Sequence, residues 1–190
     1  MKYNKLGQTD LVVSELCLGT MTWGTQNSAD DAFYQIEKSI DAGINFIDTA
    51  ELYPVNPISG VTQGESERIL GEWLSRSNVR DELIIATKIA GNGPKHIRNG
   101  EGITNKSLFT AINASLKSLK TDYIDLYQLH WPNRGSYHFR QNWRFDPTKQ
   151  DKNLVLDHMN EVLEACDILK KEGKVRAFGL SNESAWGTAQ

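Results

Sequence analysis

The sequence predicts an α/β fold of the (β/α)8 TIM-barrel class, entered through an N-terminal β-hairpin, with about five of the eight β/α units present. Three observations lead there. Short apolar runs of strand length alternate regularly with longer segments of helical periodicity, the pattern of a parallel sheet covered by helices. The first strand runs into Gly19-Thr20-Met21-Thr22-Trp23-Gly24, not the glycine-rich turn of an open nucleotide-binding sheet, so a barrel is preferred to a doubly wound fold. Three successive strands then end in an ionisable residue, at Asp48, Lys88 and His130. In a parallel barrel such strand tips converge on one face.

The elements follow in order. Residues 2–6 and 11–13 are two short extended segments separated by Gly7-Gln8-Thr9-Asp10, which reads as a hairpin. Leu16–Gly19 is an apolar run suited to a buried strand. Ser28 offers an N-cap with Asp31 at N3; Phe33, Ile36 and Ile40 share one helical face, and Gly43 closes the helix. Ile44–Ile47 is the next strand and stops at Asp48. A helix from about Glu65 to Arg76 has Ile69, Leu70, Trp73 and Leu74 as its stripe. Leu83–Thr87 runs up to Lys88. Thr104 caps the following helix, with Ile103 and Leu108 at hydrophobic-staple spacing and Ile112, Leu116 and Leu119 continuing the buried face. Asp125–Leu129 ends at His130. Pro132–Lys152 is a long polar loop bearing aromatics, of a length usually found in functional or mobile segments. The helix from about Asn153 to Glu172 carries Val155, Met159, Val162, Cys166 and Leu169, with Lys170 and Lys171 at its negative end and Gly173 as its stop. Val175–Leu180 is a fifth barrel strand leading to Ser181-Asn182, and Glu183–Gln190 reads as the start of another crossover helix.

The 190 residues are 39% hydrophobic and 24% charged, which is enough apolar material for one cored domain. A net charge of −3 leaves no basic face for nucleic acid or anionic lipid. No apolar run approaches membrane-spanning length, and none follows the charged opening residues as a secretory signal would; the expected compartment is the cytoplasm. Cys17 and Cys166 read as reduced core thiols. No metal site is expected, because His96 and His158 lack partners at ligand spacing and His138 sits in the polar loop. Gly91-Asn92-Gly93-Pro94 reads as a turn, and Arg134, Arg140, Arg144 and Lys149 as a solvated loop face.

The strand-tip residues, with Tyr53 five positions past Asp48, make coherent chemistry. A free phenol titrates near ~10 and is a weak acid at neutral pH unless a cation stands beside it. Lys88 supplies that cation, and Asp48 holds Lys88 in place and charged. His130 donates to, or orients, a carbonyl oxygen beside the phenol. Such a set suits protonation of an oxygen while hydride arrives at the attached carbon.

The same segments resemble the aldo-keto reductase family. Gly43–Ala50 followed by Tyr53 resembles its signature around the catalytic aspartate and tyrosine, Ile85–Lys88 its lysine strand, and Tyr123–Pro132 its histidine strand. Val175–Asn182 resembles the segment that holds the nicotinamide carboxamide. Gly19–Gly24, Glu51–Pro54 and the long loop after Trp131-Pro132 are most similar to the bacterial Tas-like branch, kin also to potassium-channel β subunits. The resemblance implies NADPH-dependent reduction of a small-molecule aldehyde or ketone, with Tyr53 as general acid, Lys88 and Asp48 tuning it, and His130 positioning the carbonyl. It implies cofactor contacts at Gly19, Thr20, Met21, Asp48, Ser181 and Asn182, with Gln26 a weaker candidate. Substrate contacts would come from Trp23, Tyr53, His130 and Trp131, although Trp23 and Trp131 read equally as packed aromatics. Two other readings stand beside it: a nucleotide-binding regulatory relative, against which His130 counts because binding relatives often carry Asn there, and an inactive truncated product. An eight-unit barrel takes about 250 residues, so the chain is expected to be a fragment with both sheet edges open. The stacking aromatic and the 2′-phosphate-binding basic residues would lie in units not present.

Overall fold

A computed structural model of the chain describes residues 1–139 and 141–190. Arg140, expected on a solvated loop face, lies outside the described residues. The chain opens with β1 (Tyr3–Lys5) paired antiparallel to β2 (Val12–Ser14). It continues through β3 (Leu18–Gly19), α1 (Ala29–Asp41), β4 (Phe46–Asp48), α2 (Glu65–Leu74), β5 (Ile84–Ile89) and α3 (Asn105–Leu119). β6 (Ile124–Leu129), α4 (Lys152–Lys171), β7 (Val175–Leu180) and α5 (Ala185–Ala189) complete it. Strands β3 to β7 form one parallel sheet whose spatial order is the chain order. This is five units of the barrel pattern, with β3 and β7 at the sheet's edges.

Local signals set most helix starts. Ser28 and Asp31 form a reciprocal capping box on α1, and Thr104 and Ser107 form another on α3, each satisfying backbone N–H groups the helix itself leaves unpaired. Asp151 caps α4 by accepting from Asn153 and Leu154. No helix of the described residues is long and apolar enough to cross a membrane.

The strands' two faces have separate cores. The outer core packs α1 to α4 on the sheet through Ile36, Ile47, Leu70, Ile85, Ile112, Tyr127 and Leu169. Close crossing of α2 on α3 depends on Gly71, where a Cβ would sit 2.0 Å from the Ser118 carbonyl oxygen. The inner core, at the strands' N-terminal end, joins Ile84, Ala86, Leu126 and Ala177 to Leu11 and Val13 of the hairpin region. Asn45 ties the hairpin down: its side chain accepts from Ser14 N (2.7 Å) and donates to Val12 O (2.9 Å). The hairpin plugs one end of the inner face and leaves the strands' C-terminal end to polar groups.

The structure corrects the first strand. It covers Leu18–Gly19 alone; Leu16 is 57% exposed and the Cys17 thiol is exposed instead of cored. An edge strand has a neighbour on one side only, so an apolar composition does not ensure burial there. Cys166 is buried as expected. Arg134 also departs from expectation. Its guanidinium is withdrawn from solvent and holds both oxygens of Glu183.

Candidate active site

Strand β5 is buried along its whole length, and Lys88 sits within it at 5% exposure. A buried ammonium needs all three donors satisfied and its charge balanced. Lys88 Nζ reaches Asp48 Oδ2 at 2.5 Å, the Thr49 carbonyl at 2.8 Å and the Tyr53 hydroxyl at 3.4 Å. The sheet register explains the meeting: Asp48 pairs with Ala86, so Lys88 stands one pleat further along the same face. Asp48 is steadied in turn by Gln128, whose Nε2 donates to Oδ1 at 2.9 Å.

Tyr53 lies in the turn after β4. Its N–H donates to Ala50 O (3.0 Å) and its carbonyl accepts Gly64 N (2.9 Å), which fixes the turn at both ends. Lys88 Nζ lies 4.7 Å from the tyrosine ring centroid, close enough for its charge to act on the phenol. His130 presents its ring nearly perpendicular to that of Tyr53, with centroids 5.7 Å apart. Burial first, and the Lys88 charge second, push the His130 pKa down to about 3, so the imidazole is neutral at neutral pH. Its Nδ1 is buried with no hydrogen-bond partner among the described residues. A neutral imidazole edge beside a phenol and an ammonium can donate a hydrogen bond to an oxygen without adding charge.

The remaining expected residues divide into two groups. Ser181 and Asn182 follow β7 directly; Asn182, at φ +52°, donates through Nδ2 to His130 O (2.9 Å) and to Ser181 Oγ (3.1 Å). Gly19 pairs with Asp48 across the sheet, and Met21 is exposed on the following turn. Trp131 packs against His130 with ring centroids 4.9 Å apart and the planes tilted by 50°, and is held by a bond from Nε1 to Asn92 O. Gly91 makes room for it, because a Cβ there would fall 2.4 Å from the indole. Trp23 is elsewhere. It is fully buried in the outer core with Nε1 bonded to Gln35 (2.8 Å), so of its two readings the packed aromatic fits and the pocket wall does not. Thr20 is also fully buried, while Gln26 is exposed in the loop that follows β3. Among the described residues no three His, Cys, Asp or Glu side chains cluster so as to hold a metal ion.

A sequence model described as the Aldo/keto reductase family matches residues 15–190. The chain belongs to the aldo/keto reductase family. Protein tas of Escherichia coli K12 is 40% identical over 98% of this chain and 54% of its own length. An uncharacterized oxidoreductase, YrpG of Bacillus subtilis, is 33% identical over 98% and 51%. Norsolorinic acid reductase stcV of Emericella nidulans is 36% identical over 94% and 42%. Among solved structures, the holo form of an aldo-keto reductase from Bacillus halodurans superposes with a TM-score of 0.70 at 32% identity, covering 95% of this chain and 50% of that one. The chain spans about half the length of the relatives it matches.

For this aldo/keto reductase chain, sequence reasoning missed Gln128 and the Thr49 carbonyl. Gln128 was available in principle, since it stands two residues before His130 and so on the same strand face. The Thr49 carbonyl carries no side-chain signal at all.

Proposed function

We propose that the chain forms the proton-transfer part of a carbonyl reductase that reduces an aldehyde or ketone to an alcohol with NADPH. The observation carrying this reading is the buried Lys88 ammonium, bracketed by the Asp48 carboxylate and the Tyr53 hydroxyl. The bound dinucleotide supplies the hydride. Tyr53 gives its proton to the carbonyl oxygen as the carbon is reduced, leaving a phenolate that Lys88 stabilises at 3.4 Å. Asp48 keeps the ammonium charged and aimed. His130, neutral and with no partner at Nδ1 among the described residues, orients the carbonyl oxygen toward the phenol.

The residues present fit a nicotinamide. Asn182 spends its amide donors on His130 and Ser181, which leaves its side-chain carbonyl as an acceptor, and Ser181 brings a hydroxyl beside it. This pair is proposed to hold the carboxamide. Gly19 and Met21 would line the cofactor's path. The backbone of Thr20 is committed, its N–H to Asp48 O (3.1 Å) and its carbonyl to the Ser66 hydroxyl (3.0 Å), which leaves its buried hydroxyl, without a partner among the described residues, as the group it could offer. Trp131 is the proposed wall of the substrate pocket. The choice of NADPH over NADH rests on the family resemblance alone, and the cytoplasm is proposed as the compartment that suits two free thiols.

The test is NADPH-dependent reduction of 4-nitrobenzaldehyde by the chain, followed at 340 nm, beside Tyr53→Phe. Loss of the acid is expected to lower kcat by about 10²–10⁴. Equal turnover by the two proteins would sink the mechanism, and NADPH binding without turnover by the unmodified chain would favour a nucleotide-sensing role.

A further inference from the structure

The turn carrying Tyr53 and the loop after Lys88 are joined by a buried ion pair outside the reacting set. Glu51 stands two residues before Tyr53 and is 7% exposed. Both of its carboxylate oxygens are engaged: one accepts the Ala90 N–H and the other accepts Nη1 of Arg98. Arg98 Nη2 donates to the Ala90 carbonyl at 2.9 Å, so the pair clasps both polar groups of a residue two positions past Lys88. Backbone contacts extend the join. Glu51 N donates to Lys88 O (3.2 Å), and Glu51 O accepts Nε2 of Gln63 (2.5 Å).

Arg98 reaches this position from an unfavourable backbone. Its φ is +44°, and Asn99 follows at +57° before Gly100 at +84°. Two successive non-glycine residues in the left-handed region persist only where surrounding structure holds them, and such strain collects at functional sites. The turn is closed by Gly93 N to Gly100 O (3.2 Å) and Gly100 N to Ile97 O (2.8 Å). Beneath it, Leu52, Ala90 and Ile97 form a separate apolar cluster, with Val55 and Trp131 packed against it. The loops following Asp48, Lys88 and His130 therefore share one small core, and Glu51–Arg98 is its charged tie. A buried ion pair is a poor source of stability compared with apolar packing, because desolvation cancels most of its attraction. What it supplies is a fixed geometry.

We propose that Glu51 and Arg98 are positioning residues that hold the Tyr53 hydroxyl within hydrogen-bonding reach of Lys88. The functional part of this inference rests on the reductase reading, whereas the positional part does not.

The test compares Arg98→Met, Glu51→Gln and Arg98→Lys with the unmodified chain by hydrogen exchange and by NADPH-dependent turnover of 4-nitrobenzaldehyde. Arg98→Met and Glu51→Gln are expected to speed amide exchange across residues 50–56 and 89–92 by about tenfold or more, with β6 and α3 unchanged. They are expected to lower kcat by about ten- to a hundredfold at unchanged KM, as misplacement of a reacting group does. Arg98→Lys, which keeps the charge but loses the second arm, should recover part of kcat. It carries the same comparison if Arg98→Met does not fold. Unchanged exchange across residues 50–56 overturns the proposal, as does raised exchange with an unchanged kcat, or a loss confined to KM or to melting temperature. Absence of turnover by the unmodified chain counts against the reductase reading, and the exchange comparison then still decides whether the pair holds Tyr53.

Discussion

Replacing Glu67 with Gln should stabilise the protein in alkaline solution and leave it nearly unchanged in mild acid. Glu67 lies in α2 at 3% exposure, facing the sheet, with the Thr87 hydroxyl donating to it at 2.6 Å. Among the described residues no cation forms a salt bridge with it. Burial pushes its pKa from 4.5 up to about 7; the Thr87 bond works the other way and is outweighed. A group whose pKa is raised on folding binds its proton more tightly in the native state. Its contribution to stability is complete below about 4.5 and is lost as pH rises through about 7. That gap corresponds to ~3 kcal/mol. Gln has the same shape, still accepts from Thr87 and never ionises. Urea unfolding at pH 5 and at pH 8.5 measures the effect. The stability difference between variant and wild type should grow by about 2.5 kcal/mol in the variant's favour between these pH values, since pH 5 already lies a little above the unfolded value. Any packing penalty of the amide is the same at both and drops out. His130 runs in the opposite sense, since its depressed pKa gives stability that is present above about 6.5 and fades as pH falls toward about 3. It is common to both proteins and cancels. A difference that stays constant from pH 5 to pH 8.5 would refute the assignment of Glu67 as an unpaired buried acid.

Gly71→Ala should cost about 1–3 kcal/mol in urea unfolding, because the added methyl meets the Ser118 carbonyl at 2.0 Å and backbone of Leu119 at 2.8 Å, neither of which can rotate aside. A neutral result would mean that α2 and α3 slide apart freely. Asp48→Asn leaves the buried Lys88 ammonium without a carboxylate and should destabilise by roughly 3 kcal/mol, whereas Tyr53→Phe should change stability by less than about 1 kcal/mol. Equal losses from the two would argue against Asp48 as the charge partner.

The parts of the fold that were legible in the sequence are those set by neighbours along the chain. Ser28 with Asp31 and Thr104 at the head of α3 announce helix starts through bonds spanning three residues. The placing of Asp48, Lys88 and His130 at strand tips follows from apolar runs ending on a polar residue, and the sheet brings their side chains together on one face. Long-range polar pairing was illegible. Arg134 read as solvated because its partner Glu183 is 49 residues away, and Arg98 drew no notice because its reach to Glu51 depends on a left-handed turn. Leu16 and Cys17 misled for a related reason. Hydrophobicity records what a strand would bury, whereas exposure depends on whether a neighbour lies alongside, and β3 has one on one side only. Trp23 shows the limit of motif reasoning, since adjacency to the strand tip in sequence did not carry its ring to the same side of the sheet.

Because strands β3 to β7 pair in the order in which they are made, each strand's hydrogen-bonding partner has already been synthesised when it emerges. The helix contacts follow the same rule, with α1 on α2, α2 on α3 and α3 on α4. Among the described residues each pairing within this sheet therefore closes over a single β/α unit. Such a chain can assemble from the ribosome outward, one β/α unit docking on the last, much as a solenoid grows by nearest-neighbour contacts. The hairpin, made first and packed beneath β5, β6 and β7, would then act as a template on whose surface the inner face is laid down.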